Sequence, residues 1–380
     1  MAFTINEASG NNLKNIDNSI ATTHIPVSYT YNSSNKWIYC NYPENLLTSH
    51  FGDSTLENKC LNQVTVSAGT HTIFFSYQYN NGTEGGATTP FNFGIQVFNP
   101  LNKTLNFRIL KSGYGTNRMD DYGSWAGVAG KSFVDFFDST PQVTRSISAN
   151  GSYWFGTKEL QNYSGLVSGA IQFTVSSQAI ITVYAYESMS NIDGNATPVY
   201  KADNGGQYSG LGQGCIYTAE PITLSARALD GSGAYFLTNY KTIPSGKVTI
   251  NGTPVTSDLM PITLANPSNK TISASTANSN LGNWGLIYEI PLVLVNDTDS
   301  PVTFKGYVKT DTSHVGEYCI INDNSTTTKY AHLKGDAEGM YNSWNWLTQT
   351  VPANSTVTGT YRYVLGTNSC GSKRHIFTVE

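Results

Sequence analysis

The stretch FNFGIQVFNPLNKTLNFRILK, residues 91–111, decides the fold class. Phe91, Phe93, Ile95 and Val97 recur at every second position, the period of a strand with one buried face. Asn99-Pro100-Leu101-Asn102-Lys103 supplies turn formers, and Leu105, Phe107 and Ile109 resume the alternation. The spacing predicts a β-hairpin. A second stretch, YEIPLVLVNDTDSPVTFKGYV at 288–308, aligns with it without a gap, Asn99 on Asn296 (296 − 99 = 197) and Phe107 on Phe304.

Working outward, Ile25 to Ser28 echoes Ile222 to Ser225, Asn41-Tyr42 echoes Asn239-Tyr240, and Val64 to Val66 echoes Ile262 to Leu264. Downstream, Tyr122 to Trp125 matches Tyr341 to Trp344, Thr144 to Asn150 matches Thr348 to Asn354, and Phe173 to Val175 matches Phe377 to Val379. The collinear order predicts a tandem duplication. Residues 1–188 and 200–380 are then two β-domains, joined by a turn-rich linker over 189–199. Short alternating segments punctuated by Gly, Asn, Pro and Asp, with no helical period of useful length, predict an all-β fold of two antiparallel, jelly-roll-like β-sandwiches. After Val175 the first domain continues into another strand around Ile180 to Tyr184, whereas the second has only Glu380 after Val379. The second domain is expected to lack a strand and to leave an edge that must be covered.

Charged residues make up 13% of the chain and the formal net charge is −4, without a run of Lys or Arg to track phosphates, which argues against a nucleic-acid binder. Aromatics at 12% exclude wholesale disorder. The start MAFTINEASGNN has neither the basic start nor the apolar run of a signal peptide, and the apolar run at 286–295 is too short to span a membrane. The odd set Cys40, Cys60, Cys215, Cys319 and Cys370 contains no CxxC pair. Cys40 with Cys60, and Cys319 with Cys370, are the disulfide candidates, leaving Cys215 as a buried thiol or an intermolecular link.

The run at 127–132 resembles a phosphate loop but fails, because the first glycine of the motif would fall at Trp125 and no helix pattern follows. Six scattered histidines show no ligand spacing. No cofactor is implied. Calcium is the metal that the acidic loops would suit, with Asp297, Asp299 and Asp323 as candidates, against the plainer reading of Asp and Asn as turn formers. Carboxylates such as Glu159, Glu187, Glu289 and Glu338 exist in number, yet nothing pairs them for glycoside hydrolysis. Trp344 matches Trp125 in the repeat, which favours a structural role for both, while alternation is expected to put Trp344 and Trp346 on one face of a strand as candidates for stacking against a sugar.

These readings favour a non-enzymatic, self-assembling structural protein: a filament, a surface layer or a lattice. The expected assembly contact is strand donation, the segment around Phe3 and Ile5 of one copy adding to the edge beside Phe377 and Val379 of the next, with Cys215 as a further contact. A carbohydrate-binding surface module is the alternative, and a pore former or a coat protein resembling double jelly-roll capsids is a third. CNYPENL at 40–46, TIFFSYQ at 72–78 and FGIQVFN at 93–99 together resemble uncharacterised β-domains of surface proteins from Gram-positive, spore-forming bacteria, over residues 36–140. The resemblance implies an extracellular, cell-surface or spore location and no catalytic motif.

Overall fold

The computed structural model describes residues 3–41, 45–47, 60–80, 91–118, 128–141, 143–160, 164–186, 209–239, 246–255, 263–264, 283–310, 317–334, 340–366 and 373–380. The chain is all-β and built of sandwiches. It forms two compact units, and they interleave in sequence. Unit I comprises Asn32–Cys215 with Pro261–Asn280; unit II comprises Met1–Tyr31, Ile216–Met260 and Leu281–Glu380. The division therefore differs from the expected cut, because residues 1–31 belong with the C-terminal half. The expected linker, 189–199, lies outside the described residues.

In unit I the main strands are β1 (Trp37–Cys40), β2 (Gly69–Asn80), β3 (Phe91–Phe98), β4 (Leu105–Arg118), β5 (Val143–Ile147), β6 (Ser152–Leu160), β7 (Ser164–Val175) and β8 (Ala179–Tyr186). One sheet runs β5-β4-β7-β2-β1 and the other β6-β3-β8, so β3 and β4 belong to opposite sheets. The expected hairpin is thus an arch that crosses the sandwich. Alternation is the same in both geometries; what differs is the partner. β4 pairs with β5 and β7, β3 with β6 and β8. Between the sheets, Phe107 meets Phe155 at 5.0 Å and Phe75 meets Phe93 at 4.6 Å between ring centroids.

Unit II has a comparable frame, with β9 (Ile216–Ala219), β10 (Ile222–Ser225), β11 (Ala234–Thr238), β12 (Ile287–Asn296), β13 (Val302–Thr310), β14 (Glu317–Asn322), β15 (Ser343–Val351), β16 (Ser355–Leu365) and β17 (Lys373–Val379). One sheet runs β15-β13-β17-β11, in the manner of β5-β4-β7-β2, and β12 in the other sheet pairs with β16 as β3 pairs with β6. Register follows the sequence match: Thr144 lies opposite Arg108 and Thr348 opposite Lys305, while Val175 lies opposite Phe107 and Val379 opposite Phe304. The first upstream echo behaves differently. Val27-Ser28 and Ile222 to Ser225 both sit in unit II, so that match is not a match between units.

Each arch is tied by one buried asparagine. Asn99 Nδ2 donates to the carbonyls of Lys103, Ile147 and Ser148 at 2.7, 3.1 and 2.9 Å, and its Oδ1 accepts from Leu101 N. Asn296 Nδ2 donates to Ser300, Val351 and Pro352 carbonyls at 2.8, 2.9 and 3.0 Å, and its Oδ1 accepts from Thr298 N. The amide joins the turn to the end of the strand that pairs with the second strand of the arch, β5 beside β4 and β15 beside β13.

Three further features depart from the sequence reading. Parallel pairs occur in a largely antiparallel fold, among them β1 beside β2, and β9 and β10 beside β12. An eight-residue helix, α1 (Lys131–Asp138), follows Gly130 and buries Phe133, Phe136 and Phe137 against β4. Its spacing is that of one helical face. The helix lies directly on Gly113, where a Cβ would fall 1.9 Å from Ser132 O. Finally, the expected open edge is filled. Where β8 lies on β3 in unit I, β9 and β10 lie on β12 in unit II, registering Tyr217 with Tyr288 and Leu224 with Leu294. Pro291 sits between the two parallel segments, and Pro221 lies at the break between β9 and β10.

Candidate assembly site

Residues 3–16 form an arm along β15. Phe3 and Ile5 alternate with Thr4 and Asn6, as an edge strand requires, and both apolar side chains are buried. Ile5 bridges antiparallel to Leu347, and Asn6 N donates to Trp346 O at 2.9 Å. The Asn6 amide adds bonds to Asn345 O and Thr348 Oγ1 at 3.0 Å each. Further along, Leu13 pairs with Trp344 and Lys14 with Ser343, whose Oγ donates to Lys14 O at 2.6 Å. Lys14 also reaches Tyr307, its Nζ 3.0 Å from the hydroxyl. Glu7 makes an ion pair with Lys329. Asn342 closes the arm: its N donates to Asn15 Oδ1, its Oδ1 accepts from Ile16 N, and its Nδ2 donates to Ile16 O, at 2.9, 3.0 and 3.1 Å.

The segment expected to act as a donor does lie along a strand, but the strand is a different one. Phe377 is paired on both sides, with Gly306 of β13 and Ala234 of β11, and Val379 pairs with Phe304. The arm completes β15 instead. Cys215 lies in unit I, buried, with its sulfur 4.0 Å from Thr70 O, and desolvation pushes its thiol up to about 11. It is no surface contact.

Trp344 and Trp346 are each 0% exposed. Both lie in the core, and the ladder with β13 shifts register at Trp346. Trp346 packs on Tyr361 at 4.3 Å, on Phe377 at 6.4 Å and edge-on against Phe3 at 6.5 Å. No sugar can stack there. A groove of about 510 Å³ on unit II lies elsewhere, lined by Pro291, Val293, Thr358 and Thr360 among others. Its lining carries no aromatic ring.

The calcium candidates are not gathered. Asp297 caps the short helix Ala226–Leu229, accepting from Ser225 Oγ at 2.7 Å and Arg227 N at 3.0 Å, and these bonds hold its carboxyl below the usual range. Asp323 Oδ1 accepts from Ser325 N, Ser325 Oγ and Thr327 N within its own turn. Asp299 is exposed in the β12–β13 turn. Among the described residues no group of three metal-ligating side chains occurs.

Cys40, Cys60 and Cys319 are buried thiols outside any disulfide. The expected Cys40–Cys60 disulfide is absent; Cys40 sulfur instead accepts from Asn62 Nδ2 at 3.2 Å, and burial pushes its thiol up to about 12. Tyr363 hydroxyl donates to Cys319 at 3.5 Å. Cys370 lies outside the described residues. At the phosphate-loop candidate, Lys131 pairs with Asp135 at 2.7 Å, and the buried Ser132 hydroxyl donates to Ser168 O at 3.2 Å. The helix there is real, yet its serine is already used. No helix is long and apolar enough to cross a membrane among the described residues.

Two histidines are held neutral. His375 is fully buried, with Nε2 3.0 Å from Thr238 Oγ1 and Nδ1 2.9 Å from Tyr361 hydroxyl, and desolvation lowers its pKa to about 3. His71 Nδ1 accepts from Lys36 N at 3.0 Å while Nε2 meets Ser67 O at 2.9 Å, an arrangement only the neutral ring can make, and burial lowers its pKa also. In the unfolded chain both would protonate near pH 6.5. Stability is therefore unaffected above that pH and falls as pH drops from there toward 3, for His375 by on the order of 1 kcal/mol per unit. Urea unfolding at pH 7 and pH 5 should show the loss, and His375→Gln should flatten it. An unchanged midpoint in the parent chain would contradict the assignment.

No family model and no curated protein matches the sequence. Solved structures with some likeness include the CUB1-EGF-CUB2 domain of human MASP-1/3, at 6% identity and TM-score 0.17 over 84% of this chain and 99% of that one. The PBSX exported protein XepA aligns at 7% identity and TM-score 0.12 over 82% and 86%. Lac15 from a marine microbial metagenome aligns at 9% identity and TM-score 0.11 over 91% and 96%. Likeness at this level assigns no family.

Proposed function

We propose that this chain is a non-enzymatic structural protein that self-assembles into a filament, a surface layer or a lattice. The observation that carries the reading is strand addition: an N-terminal arm completes β15 through backbone bonds and two buried apolar anchors, Phe3 and Ile5. Such a contact is one that β-proteins use between chains as readily as within them. A charged fraction of 13% supports it, since a weakly charged surface offers little mutual repulsion.

Electron microscopy and sedimentation of the purified chain over a range of concentrations test this. Ordered polymers or sheets are expected. A single monomeric species at every concentration would remove the proposal.

A further inference from the structure

We infer that residues 3–14 of the arm are exchanged between copies, each copy seating them on β15 of the next. The inference rests on the self-assembly reading and names its contact.

The bonds that tie the arm to β15 are made to residues far along the chain; Asn6 and its partner Asn345 are 339 positions apart. The arm has no sheet of its own. It consists of the Ile5 bridge, a turn at Gly10–Asn12 and the two-residue strand Leu13–Lys14. A second copy offers the same acceptors: Trp346 O for Asn6 N, Leu347 opposite Ile5, and Trp344 and Ser343 opposite Leu13 and Lys14. Exchange leaves these contacts unchanged, so the two states differ only at the pivot and in concentration dependence.

The pivot is well defined. Beyond it the chain is fixed, because Thr22 N donates to Ser232 O at 3.0 Å, His24 pairs with Tyr235, and Ile20 O packs so near Gly233 that a Cβ there would lie 2.4 Å away. Movement is therefore confined to Asn15 through Asn18, which Asn342 holds through Asn15 and Ile16. Asn342 is the latch on the closed form. A copy that gives its arm to one neighbour and receives one from another makes a head-to-tail contact, which gives an open chain wherever its rotation does not close into a ring.

Disulfide trapping in the full chain tests the exchange. Lys14→Cys and Ser343→Cys place two thiols directly opposite in the strand register. The double variant is oxidised after concentration and run on a non-reducing gel beside the Ser343→Cys single variant. A covalent ladder specific to the double variant is expected, and Asn342→Ala added to it should lengthen the ladder. A link found only within monomers, while microscopy still shows polymers, would overturn exchange and leave self-assembly standing. The same intramolecular link without polymers would remove both. No link of either kind would take the arm off β15 and end the inference as well.

Discussion

Asn296→Ala should cost roughly 3 kcal/mol or more, a large effect for one polar side chain. The amide donates to three carbonyls, and its oxygen accepts from Thr298 N and Oγ1. A single lost bond is worth about 1 kcal/mol net, but here the carbonyls of Val351 and Pro352 are left facing a void at a buried position. Asn296→Asp keeps the shape and should fare worse, because a carboxylate would point acceptors at three carbonyls. Asn99→Ala should behave alike, since Asn99 makes the same bonds to Lys103, Ile147 and Ser148. Hydrogen exchange separates the two: Asn99→Ala should lower protection in β3 to β6, and Asn296→Ala in β12, β13, β15 and β16. A cost below about 1 kcal/mol for both alanine variants would show that the asparagines merely decorate the turns.

Those two asparagines mark how far the sequence could be read. The strands on either side of each were visible from alternation, and so was the correspondence between the two stretches. Alternation reports which side chains share a face and nothing about which strand lies alongside. That is why the arch has the pattern of a hairpin, and why nothing local in the sequence marks β9 and β10, parallel and short, as the cover for β12. The same ambiguity hid the tryptophans. Residues 343–347 are buried throughout, and no local signal in the alternation tells a core face from a surface one. For α1 a signal did exist: Phe133, Phe136 and Phe137 have helical spacing, in a segment shorter than the usual helix. The arm's alternation at Phe3 and Ile5 was legible too. Its acceptor was not, because the identity of an edge depends on the order of strands brought together from distant parts of the chain.

Trp346→Ala should be the most destabilising single change in unit II, at about 3–5 kcal/mol. The ring is fully buried and touches Tyr361, Phe377 and Phe3, so its removal opens a cavity where the two sheets and the arm meet. Trp346→Phe should recover a good part of the loss by refilling it. Urea unfolding followed by circular dichroism measures both. The arm should loosen with the ring, because Phe3 loses its edge-on partner; proteolysis ahead of Asn15 should then speed up in Trp346→Ala and much less in Trp346→Phe. This outcome also decides how any sugar-binding experiment on the chain is to be read. Loss of binding in Trp346→Ala would follow from a damaged core, whereas loss on changing Thr358 or Thr360, which line the open groove, would not. If Trp346→Ala instead unfolds within about 1 kcal/mol of the parent chain, the ring is not a core element, and the arm does not pack against it.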